Sequence, residues 1–227
     1  MTVVAPEIIW DCHAHHFGSA ASYPPIANRG YDPPAVGRDD YLGQASAAGV
    51  TGTVWVQPSV YGLDNAAVLD LLETRPSGTR AVIAPPNATS PQDLRRLHDL
   101  GVRGLRLNLV SKGGNGLETL APFKTAMQDL GWHVAAFVDG SDDAALDAVL
   151  SAVDVPVVLD HFGFAGRAMP ELSVGSAFSR HLDSGRLWVK LSAGYQIDAA
   201  NPSGGKAADR AARLLERAPE RLLFGSN

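Results

Sequence analysis

The chain has 227 residues, 45% hydrophobic and 19% charged, with a formal net charge of -5. This is an ordinary globular composition, long enough for one large domain, and the mild, interspersed charge speaks against a nucleic-acid partner. No apolar run reaches the roughly 18 residues of a membrane span, the start lacks the features of a signal peptide, and the single cysteine, Cys12, is a free thiol; a cytoplasmic protein with no membrane partner is the expectation.

In chain order, the first apolar run is EIIWDCH (7–13), followed at once by histidines 15 and 16. Asp11, His13 and His15 share strand parity and are expected to point to one side, whereas His16 faces into the loop. Residues 17–40 read as a long Pro/Gly/Tyr-rich loop, a type of element that often binds ligand. The second run, GTVWVQP (52–58), ends in Gln57, Ser59 and Tyr61, which offer neutral hydrogen-bond donors. After the third, RAVIAPP (80–86), Ser90 as N-cap, Pro91 at the first helical position and Gly101 past the end predict a helix.

The fourth run, VRGLRLNLV (102–110), carries Arg103 at its start and Arg106 deeper. A guanidinium inside a fold must be paired, either with a protein carboxylate or with an anionic substrate. Lys112 follows as a second candidate cation, in a KGGNG segment that either turns its amides towards an anion or is a plain loop. LETLAPFKTAMQDLG has helical spacing. The fifth run, WHVAAFVDG (132–140), has His133 at the wrong end to join a site at the strand tips. SDDAALDAVLSAV reads as a helix. The sixth run, VPVVLDHFG (155–163), ends in Asp160 and His161. The seventh, LWVKLS (187–192), is followed by Ser192 and Tyr195. The helix of GGKAADRAARLLERAPER stops near Pro219, and the eighth run, RLLFGSN (221–227), ends in Asn227. Trp10, Trp55, Trp132 and Trp188 read as core.

Eight apolar runs without clean alternation, separated by helical segments, predict strands buried on both faces and joined by helices. The expected architecture is α/β, a (β/α)8 TIM barrel over residues 1–227 as a single domain. A doubly wound open sheet is the alternative, but it usually carries a Gly-rich turn after its first strand, where this chain has DCHAHHFG. The last barrel helix is absent from this sequence, so either further chain or a neighbouring copy is expected to cover the eighth strand, and an oligomer is possible. In a TIM barrel the chemistry lies at the C-terminal strand ends, which singles out His13, His15, Arg106, His161 and Asn227.

Taken in order, DCHAHHFG, YPPIANRGYDPP, QPSVYGLDN, LGVRGLRLNLV, VPVVLDHFG, WVKLSAGY and RLLFGSN resemble the amidohydrolase superfamily, within it the group containing 2-pyrone-4,6-dicarboxylate lactonase. The resemblance implies a (β/α)8 barrel and a hydrolase, lactonase-like, of the aromatic-compound catabolic type, acting on a small anionic substrate. It implies that His13, His15 and His161 polarise the reacting carbonyl, that Arg106 holds a carboxylate, and that the eighth strand's end supplies the base. Lys112, Ser59, Tyr61 and Tyr195 are the further substrate-binding candidates. The chain departs from the pattern at Asn227, where an Asp is expected, and at Gln196, where such members often carry a cation. Zinc-binding members use a strand 5 histidine and a strand 8 aspartate; here the expectation is no metal cofactor. The alternatives are a mononuclear zinc hydrolase or decarboxylase using His13, His15 and His161, and a catalytically impaired barrel that binds a small anion, because an amide cannot serve as base.

Overall fold

The computed structural model describes residues 9–34, 36–74, 78–87, 90–164, 166, 168–201 and 205–227; residues 1–8 and residue 35 of the expected long loop lie outside the described residues. Eight strands form one sheet in the order β1 to β8, every neighbouring pair parallel. They are β1 (Trp10–Ala14), β2 (Gly52–Val56), β3 (Thr79–Ile83), β4 (Val102–Asn108), β5 (His133–Phe137), β6 (Val157–Leu159), β7 (Leu187–Leu191) and β8 (Leu222–Phe224). Each coincides with one of the eight apolar runs, β1 extending one residue past its run and β3 beginning one residue before its own. Helices α1 (Arg38–Ala47), α2 (Ala66–Glu73), α3 (Pro91–Leu100), α4 (Lys124–Asp129), α5 (Asp143–Ala152), α6 (Ala177–Asp183), the single-turn α7 (Gly194–Ile197) and α8 (Gly205–Arg217) lie in the crossovers. The result is a nearly closed (β/α)8 barrel. No helix among the described residues is long and apolar enough to cross a membrane.

Local chemistry explains the elements. Ser90 Oγ accepts the Asp93 amide at 3.1 Å, Pro91 opens α3, and Gly101 ends it at φ 128°, a value that glycine tolerates without strain. Asp142 caps α5 through the Ala145 amide in the same way. The segment expected as one helix over LETLAPFKTAMQDLG divides instead into a 3-10 stretch, Leu117–Phe123, and the short α4. Pro122 lies at that division and supplies no amide to an α-helical ladder.

Strand parity sorts the side chains. In β2, Trp55 joins the large outer core beneath the helices with Val68, Leu71 and Leu72, while Val54 and Val56 join Val82 and Ala135 in a separate apolar cluster on the inner side. In β7, Leu187, Val189 and Leu191 pack outward, so Lys190 points inward. Trp55 and Trp132 are fully buried, each contributing on the order of 2–3 kcal/mol. Trp10 and Trp188 are only half-buried and are covered by Arg80 and Arg221.

The seam between β8 and β1 is closed without a strand ladder. The Asn227 amide donates to the His13 carbonyl at 2.8 Å. Asp11, 1% exposed, accepts the His13 amide at 2.9 Å, the Ser226 amide at 3.0 Å and the Tyr41 hydroxyl at 2.9 Å, and the Ser226 hydroxyl as well. Gly225 is required here, because a Cβ would stand 2.6 Å from that of His13. Asp11→Ala leaves these donors unpaired at once and is expected to lower unfolding stability by about 3 kcal/mol, read from the urea midpoint at unchanged m-value.

Candidate active site

A cavity of about 730 Å³ opens among residues at or just beyond the C-terminal ends of β1, β2, β4, β5, β6, β7 and β8. His15, Arg106, His161, Ser59, Tyr195 and Asn227 all line it, joined by Phe17, Tyr31, Pro34 and Val36 from the long loop after β1. Three non-glycine residues at the strand ends adopt the left-handed region: His161 at φ 53°, Ala193 at φ 52° and Asn227 at φ 68°; Phe162, beside His161, is at 59°. Each costs on the order of 1 kcal/mol or more, a strain typical of functional sites.

The imidazoles form a chain. The ring centroids of His13 lie 4.9 Å from those of both His15 and His161, and His161 packs edge-on against Phe137 at 5.3 Å. His15 Nδ1 lies 2.7 Å from the Val56 carbonyl, an acceptor only, so Nδ1 carries the proton and donates. Its Nε2 therefore keeps a lone pair. His161 Nδ1 pairs with Ser192 Oγ at 2.8 Å, leaving its own Nε2 for a reactant. Burial, reinforced by the charge of Arg106, pushes His15 down to about 3. Burial brings His161 to about 4, against the opposing pull of Asp160. Burial and Lys190 hold His13 well below the usual imidazole range. All three rings are neutral near pH 7.

Beneath them lies a buried charge cluster that the sequence reading missed. Lys190 Nζ is 3.1 Å from Asp160 Oδ1 and 3.1 Å from His13 Nδ1, and Lys190 is 1% exposed and Asp160 0%. Arg106 Nη2 approaches Asp160 Oδ2 at 4.0 Å, and its Nη1 donates to the Gln57 carbonyl. Burial alone would raise Asp160, but Lys190 foremost, with His13 and His161, holds it well below the usual carboxylate range. It is a fixed anion, poorly suited to accept a proton. The signal for Lys190 was present in LWVKL, whose outward Leu187, Val189 and Leu191 leave the lysine on the inner side.

Other candidates sit elsewhere. Lys112 is exposed and does not line the cavity. Tyr61 is buried beside Val60 and Ala67, and its hydroxyl accepts the Gly18 amide at 3.2 Å, which anchors the first loop. The amides of Val110 and Ser111, at the start of the loop that carries KGGNG, point to Asn108 Oδ1. His16 stacks edge-on against Trp55 at 6.2 Å, outside the cavity. Against the opposing charge of Lys190, burial raises the Cys12 thiol and so favours its protonated form. Asp11 accepts from the His13 amide of its own strand, the Tyr41 hydroxyl of α1 and the Ser226 amide across the seam. His133 is below the cavity mouth, lowered to about 4 by burial and Lys190. Asn227 donates through Nδ2 to the Tyr195 hydroxyl at 2.7 Å, while its buried Oδ1 has no partner among the described residues.

Donor atoms of His13, Asp160 and His161 lie within 4.8 Å of one another, a spacing compatible with a metal ion. The Lys190 ammonium, however, already contacts both His13 Nδ1 and Asp160 Oδ1. A divalent cation held on those two atoms would face that ammonium at close range, whereas His13 Nε2 has no partner among the described residues.

The family described as Amidohydrolase matches residues 10–227. The chain is 31% identical to a 4-sulfomuconolactone hydrolase of Hydrogenophaga intermedia over 99% of this chain and 75% of that protein. It is 28% identical to a 2-pyrone-4,6-dicarboxylate hydrolase of Comamonas testosteroni over 96% of this chain and 75% of that protein. A solved Agrobacterium tumefaciens structure, 24% identical, superposes with a TM-score of 0.81 over 98% of this chain and 82% of that one, a likeness of fold.

Two outcomes follow from the buried charges. Lys190→Met strands the Asp160 carboxylate and is expected to cost about 3–5 kcal/mol of stability. The double variant Lys190→Met/Asp160→Asn should recover much of that loss in urea unfolding. Separately, His15, His133 and His161 titrate at about 3, 4 and 4 in the fold against about 6.5 when unfolded. Their neutral forms favour the fold above pH 6.5, and that contribution is lost as pH falls towards 4. With His13, which is held well below the usual imidazole range as well, unfolding near pH 5 should take up about four protons, a slope of about 5 kcal/mol per pH unit, read from denaturation midpoints across pH 4.5–6.5.

Proposed function

The chain belongs to the amidohydrolase family, and from that premise we propose that it acts, as one barrel domain, as a hydrolase opening a carboxylate-bearing lactone or similar cyclic ester. The observation that carries this reading is the convergence of His15, His161 and Arg106 on one open cavity. Neutral imidazoles there serve a carbonyl and a water, and the arginine serves an anion. The lactone-hydrolase names of its relatives point the same way.

In this mechanism the Arg106 Nε, which has no partner among the described residues, donates to the substrate carboxylate. His161, with Ser192 Oγ donating to its Nδ1, presents Nε2–H to the ester carbonyl and stabilises the oxyanion as it develops. Asn227 cannot accept a proton, but its Oδ1 accepts a hydrogen bond and holds the water. His15 Nε2 takes the proton as the water oxygen attacks the carbonyl carbon. The tetrahedral intermediate then expels the ring oxygen, which recovers the proton from His15, and the product is the ring-opened acid.

His15 is a weak base at rest, and Arg106 is one cause of that weakness. A carboxylate docked on Arg106 offsets its charge, so substrate binding itself raises the basicity of His15. The Lys190 ammonium, in contact with His13 Nδ1 and Asp160 Oδ1, opposes a second cation on those atoms and supports a reaction without resident metal.

Ring opening of a panel of lactone carboxylic acids tests the proposal. His15→Asn is expected to lower kcat by about 10²–10⁴, whereas Arg106→Met should act mainly on KM. Protein purified without chelator should carry less than about 0.1 equivalent of zinc, where a tight site would fill. No turnover of any lactone by either the native chain or Asn227→Asp would overturn the hydrolase reading and leave a barrel that only binds.

A further inference from the structure

Resting on the hydrolase reading for the choice of site, we infer that the ligand of this cavity carries one anionic group and is otherwise neutral, with an apolar substituent lying against the loop that follows β1. Two independent features carry this.

The first is charge. Arg106 is the single ionised side chain lining the cavity among the described residues; Gln44, Gln196 and Asn227 provide neutral polar contacts. In the layer beneath, Lys190 and Arg106 together face Asp160 alone, which leaves one positive charge unbalanced. One carboxylate neutralises that excess. A second carboxylate would be drawn out of water into a cavity with no cation left for it, at the cost of an unpaired buried charge.

The second feature is the apolar wall. Tyr31 and Val36 are 42% and 45% exposed despite their size and hydrophobicity, and both line the cavity with Phe17 and Pro34. Phe17 and Tyr31 meet edge to face with centroids 6.4 Å apart. Water-exposed aromatic and aliphatic surface inside a cavity is surface that an apolar ligand group would cover. A charged substituent gains nothing there.

Lactam analogues test this independently of turnover, since the amide is far more resistant to ring opening than the ester. Calorimetric titration would compare a ring bearing one carboxylate with the same ring bearing two. It would also compare hydrogen with phenyl as the remaining substituent of the monoacid. The monoacid is expected to bind at least about tenfold tighter than the diacid, and the phenyl monoacid tighter again. Gln196→Arg, which adds a cation to the cavity wall, should narrow the gap by improving diacid binding. Equal or tighter binding of the diacid by the native chain, or no binding of either analogue, would overturn the inference. If the monoacid lactam binds as expected while no lactone is opened, the charge assignment stands and the hydrolase reading falls. If a dicarboxylate lactone is both bound more tightly and opened, the reverse holds.

Discussion

An ammonium and a carboxylate with almost no access to water, Lys190 and Asp160, set the terms for everything above them in the barrel. Two such charges are tolerable only as a pair. Their pairing fixes the rotamers of both, and with them the position of His13, whose Nδ1 rests on Lys190. The excess positive charge contributed by Arg106 then discourages protonation of the neighbouring rings. The site is a row of neutral imidazoles chiefly because the rings are buried, and the cationic layer below adds to that effect. The spacing of His13, Asp160 and His161 is also compatible with a metal ion.

Backbone strain is concentrated in the same place. His161, Phe162, Ala193 and Asn227 hold left-handed conformations immediately after β6, β7 and β8. Several contacts keep them there: Ser192 on His161, the His13 carbonyl on the Asn227 amide, and the Tyr195 hydroxyl on the Asn227 side chain. Three adjacent strands thus end in turns that no single residue's preference would select. The packing that enforces them also aims two cavity-lining side chains.

Much of this was legible in the chain itself. Eight apolar runs became eight strands, because strands covered on both faces need continuous hydrophobicity, and Ser90, Pro91 and Gly101 bounded a helix for reasons local to those residues. Parity grouped His13 with His15, and placement towards the C-terminal strand ends drew attention to Arg106 and His161. Loop residues were harder, since no repeat fixes their direction: Lys112 turns to solvent and Tyr61 into packing. Lys190 shows a different limit. Its inward direction follows from Leu187, Val189 and Leu191, but its partner is on another strand, and the register that brings Asp160 alongside is set by the whole sheet. Tyr31 and Val36 enter the site only through the course of a long loop, which composition cannot trace.

The seam joining the last strand to the first has a bearing on how the molecule comes into being. His13 gives its carbonyl to Asn227 and its amide to Asp11, and its ring sits in the charge cluster. These contacts unite residues from the two extremes of the described chain. Until the final strand has docked, the cavity lacks Asn227, and the His13 carbonyl lacks its bond across the gap. On the proposed mechanism, partly folded intermediates lack groups the chemistry needs, and a chain that loses only its last strand to thermal fraying would fall silent while most of its secondary structure persists. Competence in such a barrel reports on the completeness of folding rather than on its extent.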